Sequence, residues 1–472
     1  NAGNPGALPF EVRDQRAEFA LGREVISGDY RRPFDPGEET RRHISAFGWK
    51  PLGSRGAGFA SAELTDGAFA DGVFSDVVSP YSSSPYVVAD TSRANLDQLA
   101  ARLEAAGGWQ IGTFGVGLGV AFVGQETQSV ASPVPRLNHS SGPAVRGGMV
   151  KRLGDGSLLL GVSGTWRSLN QRTRVYTVAA PTRIYQIDGF ADPAPQDVFG
   201  LYERRLEAEG WRIGTGISGN PGWGRWSAWA NRGGYDERWS NEKIENPRTD
   251  LWTASSTTVG LAGSGRLFDR IGWSGKIEWT GVEGEAEPTP PIDSEFDPDR
   301  DPIAFRTRER LLDAVLGGAT PMGAGSWEVG AEFRLSQEWR KRLDRRVGVG
   351  SDLDMRSIGA SVEVLRSLGQ DLEISATGSV HSYSPIGEIP NPASMGPEYR
   401  RWIGPEMALV ATPASTRHLG VSLRWSRASG QAYWVKLGVS VFGTGNLATV
   451  HPLLPDGDRR SWSLGGGVTL RD

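Results

Sequence analysis

Runs of alternating apolar and polar residues, each about ten long, recur through this chain, and no other feature narrows its fold so far. In Ile271–Gly281 (IGWSGKIEWTG), Ile271, Trp273, Ile277 and Trp279 share one parity, and Gly272, Ser274, Lys276, Glu278 and Thr280 share the other. A period of two marks a strand with two unlike faces. The pattern returns at Leu158/Leu160/Val162/Trp166, Thr257/Val259/Leu261, Trp327/Val329/Ala331/Phe333/Leu335 and Ile358/Ala360/Val362/Val364. It continues at Leu372/Ile374/Ala376, Leu419/Val421/Leu423/Trp425, Tyr433/Val435/Leu437/Val439/Val441 and Trp462/Leu464/Val468/Leu470. About ten residues is also the length that a tilted strand needs to cross a bilayer.

Between the runs, glycine and aspartate mark tight turns at 53–58, 105–108, 153–157, 207–210, 267–270 and 367–371. Longer polar connections are expected at 71–97, 126–143, 170–196, 220–253, 283–304 and 384–401. Short turns alternating with long loops is the habit of outer-membrane barrels. The alternation breaks down near the end, where 428–430 is short and 443–460 is long, so one of the late strands is expected to be misassigned. The count of strands runs from 14 to 18, and an even number near 16 fits single-chain barrels.

Which way the apolar parity looks follows from size. A closed sheet of about sixteen strands encloses more space than side chains can fill, so an apolar inner face would border water. The apolar face therefore points at lipid. The opposite parity carries Lys276, Glu278, Glu328, Glu332, Arg334, Glu363, Glu373, Arg424 and Lys436, which are expected to face the lumen. Tryptophans at run ends (Trp109, Trp211, Trp402 and Trp462 opening, Trp166, Trp279 and Trp425 closing) fit interfacial girdles. Mean hydropathy is −0.36, and no apolar run is long enough for a spanning helix. Neither fact opposes a barrel, because alternation dilutes the signal. A soluble all-β protein is the rival, but the 40–50-residue repeat of a propeller is missing.

Cysteine is absent, which excludes disulfides and thiolate chemistry. A net charge of −4 gives no reason to expect nucleic acid as a partner. The start at NAGNPGALPF, without methionine, fits a trimmed exported chain.

Asn4-Pro5-Gly6 resembles the Asn-Pro-Ala/Gly element near the start of the fatty-acid-transporter-like barrels and their secretion-associated relatives. Ser75-Asp76-Val77-Val78-Ser79-Pro80-Tyr81, followed by PYVVADT at 85–91, is similar to a block in an uncharacterised family of bacterial outer-membrane β-barrels. Ser132–Asn138 resembles that family's second block, with Ser132 where the family has Asp and Val134 where it has Arg. The resemblance spans about residues 1–230. It implies an outer-membrane barrel and brings no catalytic site. By the first likeness, residues 1–16 form a lumenal plug ahead of a barrel over 17–472.

The acidic stretch 283–302, with Asp297, Asp299 and Asp301 alternating, is read as a solvated outer loop, with Ca²⁺ as its one conceivable ion. No other cofactor is expected. The five histidines have no metal-ligand spacing, and His381 and His418 carry the lumenal parity. Trp223, Trp226, Trp229, Tyr235 and Trp239 form the densest aromatic cluster; they are either girdle residues or ligand- or partner-contacting residues of an outer loop. The basic stretch 338–348 is read as a solvated rim, with anionic lipopolysaccharide or the acidic stretch 283–302 as alternative contacts. No nucleophile elbow is present, so an enzyme is not expected. The reading is transport of a small or hydrophobic solute, or service to an outer-membrane transport or secretion assembly beside another such protein. The alternative is a scaffold whose loops dock a protein or glycan.

Overall fold

In the computed structural model the described residues are 4–12, 14–29, 31, 34–75, 86–129, 136–154, 157–176, 182–188, 190, 194–198, 200–222, 224–241, 249–267, 270–287, 303–322, 327–369, 371–391, 395–426, 430–443 and 458–471. A 3-10 turn (Pro5–Ala7) and α1 (Leu8–Glu11) precede β1 (Arg16–Gly28), β2 (Glu38–Leu52), β3 (Gly56–Ser75) and β4 (Tyr86–Ile111). Then follow β5 (Phe114–Ser129), β6 (Arg136–Leu153), β7 (Leu158–Tyr176) and the short β8 (Thr182–Asp188) and β9 (Ala194–Val198). The wall resumes with β10 (Leu201–Gly219), β11 (Gly224–Asn241), β12 (Thr249–Leu267), β13 (Ile271–Glu287) and β14 (Phe305–Met322). It continues with β15 (Trp327–Asp344), β16 (Val349–Leu368) and β17 (Leu372–Glu388). Two helices, α2 (Pro397–Trp402) and α3 (Gly404–Val410), come before β18 (Ala414–Ser426), β19 (Gln431–Gly443) and β20 (Asp458–Arg471).

Each wall strand pairs antiparallel with its sequence neighbour, β7 pairs with β10, and β1 closes on β20 from Arg16↔Arg471 to Gly28↔Arg459. The result is a closed barrel of 18 strands, two more than the sixteen expected. β8 and β9 form a hairpin outside the ring, with β8 paired to the β4 extension at Tyr86–Asp90. Closure satisfies both edges of every wall strand, which is what a sheet in lipid requires. The strands run from 13 to 26 residues in the wall, longer than the ten expected, because each continues past the apolar band.

Large apolar side chains of one parity are open on the outside: Leu118 59%, Ile213 63%, Leu316 63% and Leu419 62% exposed. Such exposure is untenable in water and ordinary in lipid. Trp109, Trp273, Trp327, Trp425 and Tyr433 ring the turn end on this face. Trp166, Trp211, Trp279 and Trp462 stand further up, with Trp166 directly opposite Trp211. Trp402 is an exception to the girdle expectation: it lies in α2 and is buried.

Four of the six expected turns fall where connections occur. The other two, 105–108 and 207–210, are inside β4 and β10. Of the expected long connections, 220–253 is mostly β11 with a tight turn before it. Short and long connections alternate, with 428–430 a short turn and a long stretch before β20, except at β15–β16, where 345–348 is as short as the turns at the other end. The wall with its outward apolar face makes this an outer-membrane β-barrel, whose short-turn end is periplasmic by the convention of the class. Much of the first family block (76–85) and part of the second (132–135) lie outside the described residues.

Candidate functional site

Whatever crosses this molecule, or binds within it, must use the lumen, which holds three tiers between the turn end and the loop end. The lowest is the N-terminal segment. Asn4 caps the 3-10 turn, its Oδ1 accepting from the Gly6 amide at 2.9 Å. Its Nδ2 donates to the Val162 carbonyl at 3.0 Å and lies 3.4 Å from the Met149 carbonyl. Pro5 and Gly6 lie flat on the inner wall because Gly108, Gly115, Gly117 and Gly148 have no side chains. A Cβ at Gly117 would fall on the Pro5 backbone, and one at Gly148 on the Asn4 amide. Phe10 then packs with Ala7 and Val150, under the Arg152 guanidinium at 4.5 Å. The expected plug residues Asn4, Pro5 and Gly6 thus occupy a glycine seat on β4–β7.

The middle tier is polar. Lys276 Nζ is 3.1 Å from Glu278 Oε1, and Glu278 accepts from Trp229 Nε1 at 3.2 Å. Arg334 forks onto Asp313 at 2.8 and 3.1 Å, and Arg424 stands 3.6 Å from Glu373. Glu328, Glu332, Glu363 and Lys436 share the inward parity. His381 lies over Gly359, and His418 Nδ1 is 2.9 Å from Ser440 Oγ. A separate recess of about 450 Å³ is walled by Arg102, Thr165, Arg167, Arg212, Tyr235 and Ser256. Sequence parity places these arginines inward, but their runs alternate too weakly to mark them out.

The upper tier is apolar. Proline stands first in α2 and second in α3, in the first turn where its missing N–H costs nothing, and Arg400 and Arg401 close the last turn of α2. Tyr399, Trp402, Ile403 and Met407 form their buried stripe. Trp402 stacks on Phe34 with centroids 5.4 Å apart and tilts against Tyr185 of β8 at 5.8 Å. Phe190 meets Phe305 at 5.9 Å, and its amide donates to Asp344 at 3.0 Å. The cluster gathers Val73 of β3, Leu206, Trp239, Trp252, Ala286 and Phe305 as well. β3 and β14 stand nine strands apart around the ring of eighteen, so this cap spans the lumen from wall to wall.

The aromatic cluster 223–239 is therefore not an outer loop. Trp226 lies on β11 with outward parity, whereas Trp229, Tyr235 and Trp239 point inward, Trp239 into the cap; Trp223 lies outside the described residues. The basic stretch 338–348 is a solvated rim only in part, with Lys341, Arg345 and Val347 exposed near the loop end. Arg340 and Arg342 face inward on β15, 3.4 and 3.5 Å from Glu309, and Arg340 also lies in the field of Glu406 on α3. Of the acidic stretch, 283–287 belongs to β13, and 288–302 lies outside the described residues. Among the described residues no three His, Asp or Glu come together as metal ligands.

A family model matches residues 5–470, nearly the whole chain. The chain belongs to the family of unknown function DUF6850. No curated protein matches it. Among solved structures, this DUF6850 member is similar to the siderophore receptor PiuA from Acinetobacter baumannii. Identity is 8%, TM-score 0.42, and coverage 97% of this chain and 82% of that one. The ferric yersiniabactin uptake receptor FyuA from Yersinia pestis is 9% identical with TM-score 0.46, covering 97% and 80%. OccAB3 from Acinetobacter baumannii is 11% identical with TM-score 0.39, covering 98% and 100%. At such values the likeness carries no argument, and the reading of this family member rests on its own lumen.

Proposed function

We propose that the barrel passes a small solute across the outer membrane through a lumen held shut at rest by the cap. The observation that carries this reading is the construction of the closure. It is made of two loop helices and the β8–β9 hairpin, none of which belongs to the ring of wall strands, so it can leave without breaking the barrel. The seated N-terminal segment acts as a second, lower constriction. Docking of a protein or glycan on the outer loops is the competing reading, and the spanning cap favours it to the extent that a scaffold has no use for an open lumen.

Planar-bilayer recording separates the two. Wild-type protein should conduct little. Trp402→Ala, which removes the ring joining α2 to Phe34 and Tyr185, should raise the open probability, and deletion of residues 1–12 should raise the conductance of the open state. If both variants keep a heat-modifiable folded barrel and neither conducts, the transport reading falls and the scaffold remains.

A further inference from the structure

The arginine recess has a composition that neither the cap nor the seat explains. Arg102, Arg167 and Arg212 come from β4, β7 and β10, all with inward parity, and converge on one cavity of about 450 Å³. Two registered rows build its floor. Arg167, Gly210 and Tyr235 face one another across β7, β10 and β11; Thr165, Arg212, Gly233 and Ser256 do so in the next row, which reaches β12. The glycines set the shape. Arg167 lies 4.7 Å from the Tyr235 ring centroid, and a Cβ at Gly210 would stand 2.9 Å from Arg167 Nε and 3.0 Å from Tyr235 Cδ2. Gly210 therefore permits the stack that fixes the Arg167 fork, and a Cβ at Gly233 would stand 2.8 Å from the Trp211 carbonyl oxygen and 3.3 Å from Ser256 Oγ, so the row beside Arg212 closes only around a glycine.

Charge is unbalanced here. Arg102 is 3.3 Å from Glu104, which also pairs with Arg146. Neither Arg167 nor Arg212 has an ion-pair partner among the described residues. Elsewhere in the lumen arginines such as Arg334 and Arg424 are matched by carboxylates. Two unmatched guanidinium forks, hydroxyls from Thr165 and Ser256, and an aromatic wall are the donor set that receives a planar or tetrahedral oxyanion.

We propose that this recess is a binding site for a solute bearing a carboxylate or phosphate group, held between Arg167 and Arg212 on its way through the barrel. The proposal deepens the transport reading by naming the solute class, yet binding itself does not depend on transport. Detergent-solubilised barrel is titrated calorimetrically with succinate and, separately, with inorganic phosphate at low salt. At least one should bind, and the stronger of the two identifies the head group. Arg212→Gln and Arg167→Gln should each weaken that binding by about tenfold, the factor that about 1.4 kcal/mol represents. Arg212→Lys, which keeps the charge and loses the fork, should restore only part of it.

Heat-modifiable migration checks that each variant is folded. Absence of binding by both anions, or binding unchanged in the folded Arg167→Gln/Arg212→Gln double variant, would overturn the proposal. Conduction by the cap variant without anion binding would sink this site and leave the transport reading. Arginine-dependent binding by a barrel that never conducts would do the reverse.

Discussion

At the scale of residues, glycine does more to shape this lumen than any charged side chain. Gly117 and Gly148 let the backbone of residues 4–6 lie against the wall, so Gly117→Val should evict the segment while leaving the outward parity of β5 intact. A thiol introduced by Ala7→Cys, buried in the seated form, would then react with a water-soluble maleimide; continued protection would show that something other than the glycine seat holds the segment. Asn4→Ala removes the side-chain hydrogen bonds to the wall and the cap on Gly6, a loss of about 1 kcal/mol for each bond. Its labelling rate should fall between wild type and the valine variant. These glycines also explain where the sequence misleads. The pairs at 105–108 and 207–210 look like turns, but Gly108 makes room for Pro5 and Gly210 for the Arg167–Tyr235 stack. A turn and a close approach leave the same letter.

At the scale of elements, parity is legible wherever the two faces differ and is lost where they do not. β13, β15 and β18 read cleanly because their inward face is polar or charged and their outward face apolar. β11 carries Trp226 outward and Trp229 and Tyr235 inward, so neither parity stands out and the strand is taken for a loop. α2 is equally hidden, because six residues give too few turns for a helical period to show. The β8–β9 hairpin has its own electrostatic latch: Arg183 grips Asp197 through two hydrogen bonds of 2.8 and 3.0 Å. That hydrogen bonding holds the Asp197 carboxyl below its usual range. A depressed carboxylate contributes its stability above the unfolded pKa and loses it as pH falls through the folded one. Amide exchange along β8 should therefore quicken on acidification below the normal carboxylate range. Asp197→Asn should exchange faster at neutral pH and lose that acid dependence; an unchanged acid response in the variant would assign it to another group.

At the scale of the whole molecule, the sequence carries the class of fold and the membrane-facing surface. It does not carry the interior furnishings, since the cap joins residues from 34 to 407 whose meeting depends on ring closure. The surface assignment has a direct check. Ile277→Arg places a guanidinium in the apolar band and should destabilise folding into lipid by about 2–4 kcal/mol. The same substitution at the inward neighbour Glu278 should cost much less in refolding experiments into vesicles, and equal costs would mean that the two faces are not lipid and lumen. The wall-to-wall anchorage of the cap has a kinetic consequence. A lid tied to one strand can swing by degrees, whereas one packed against β3 on one side and β14 on the other must surrender both attachments in a single event. Its opening should be all-or-none: current records with abrupt steps between two levels, dwell times that shorten steeply on warming, and no ladder of intermediate states.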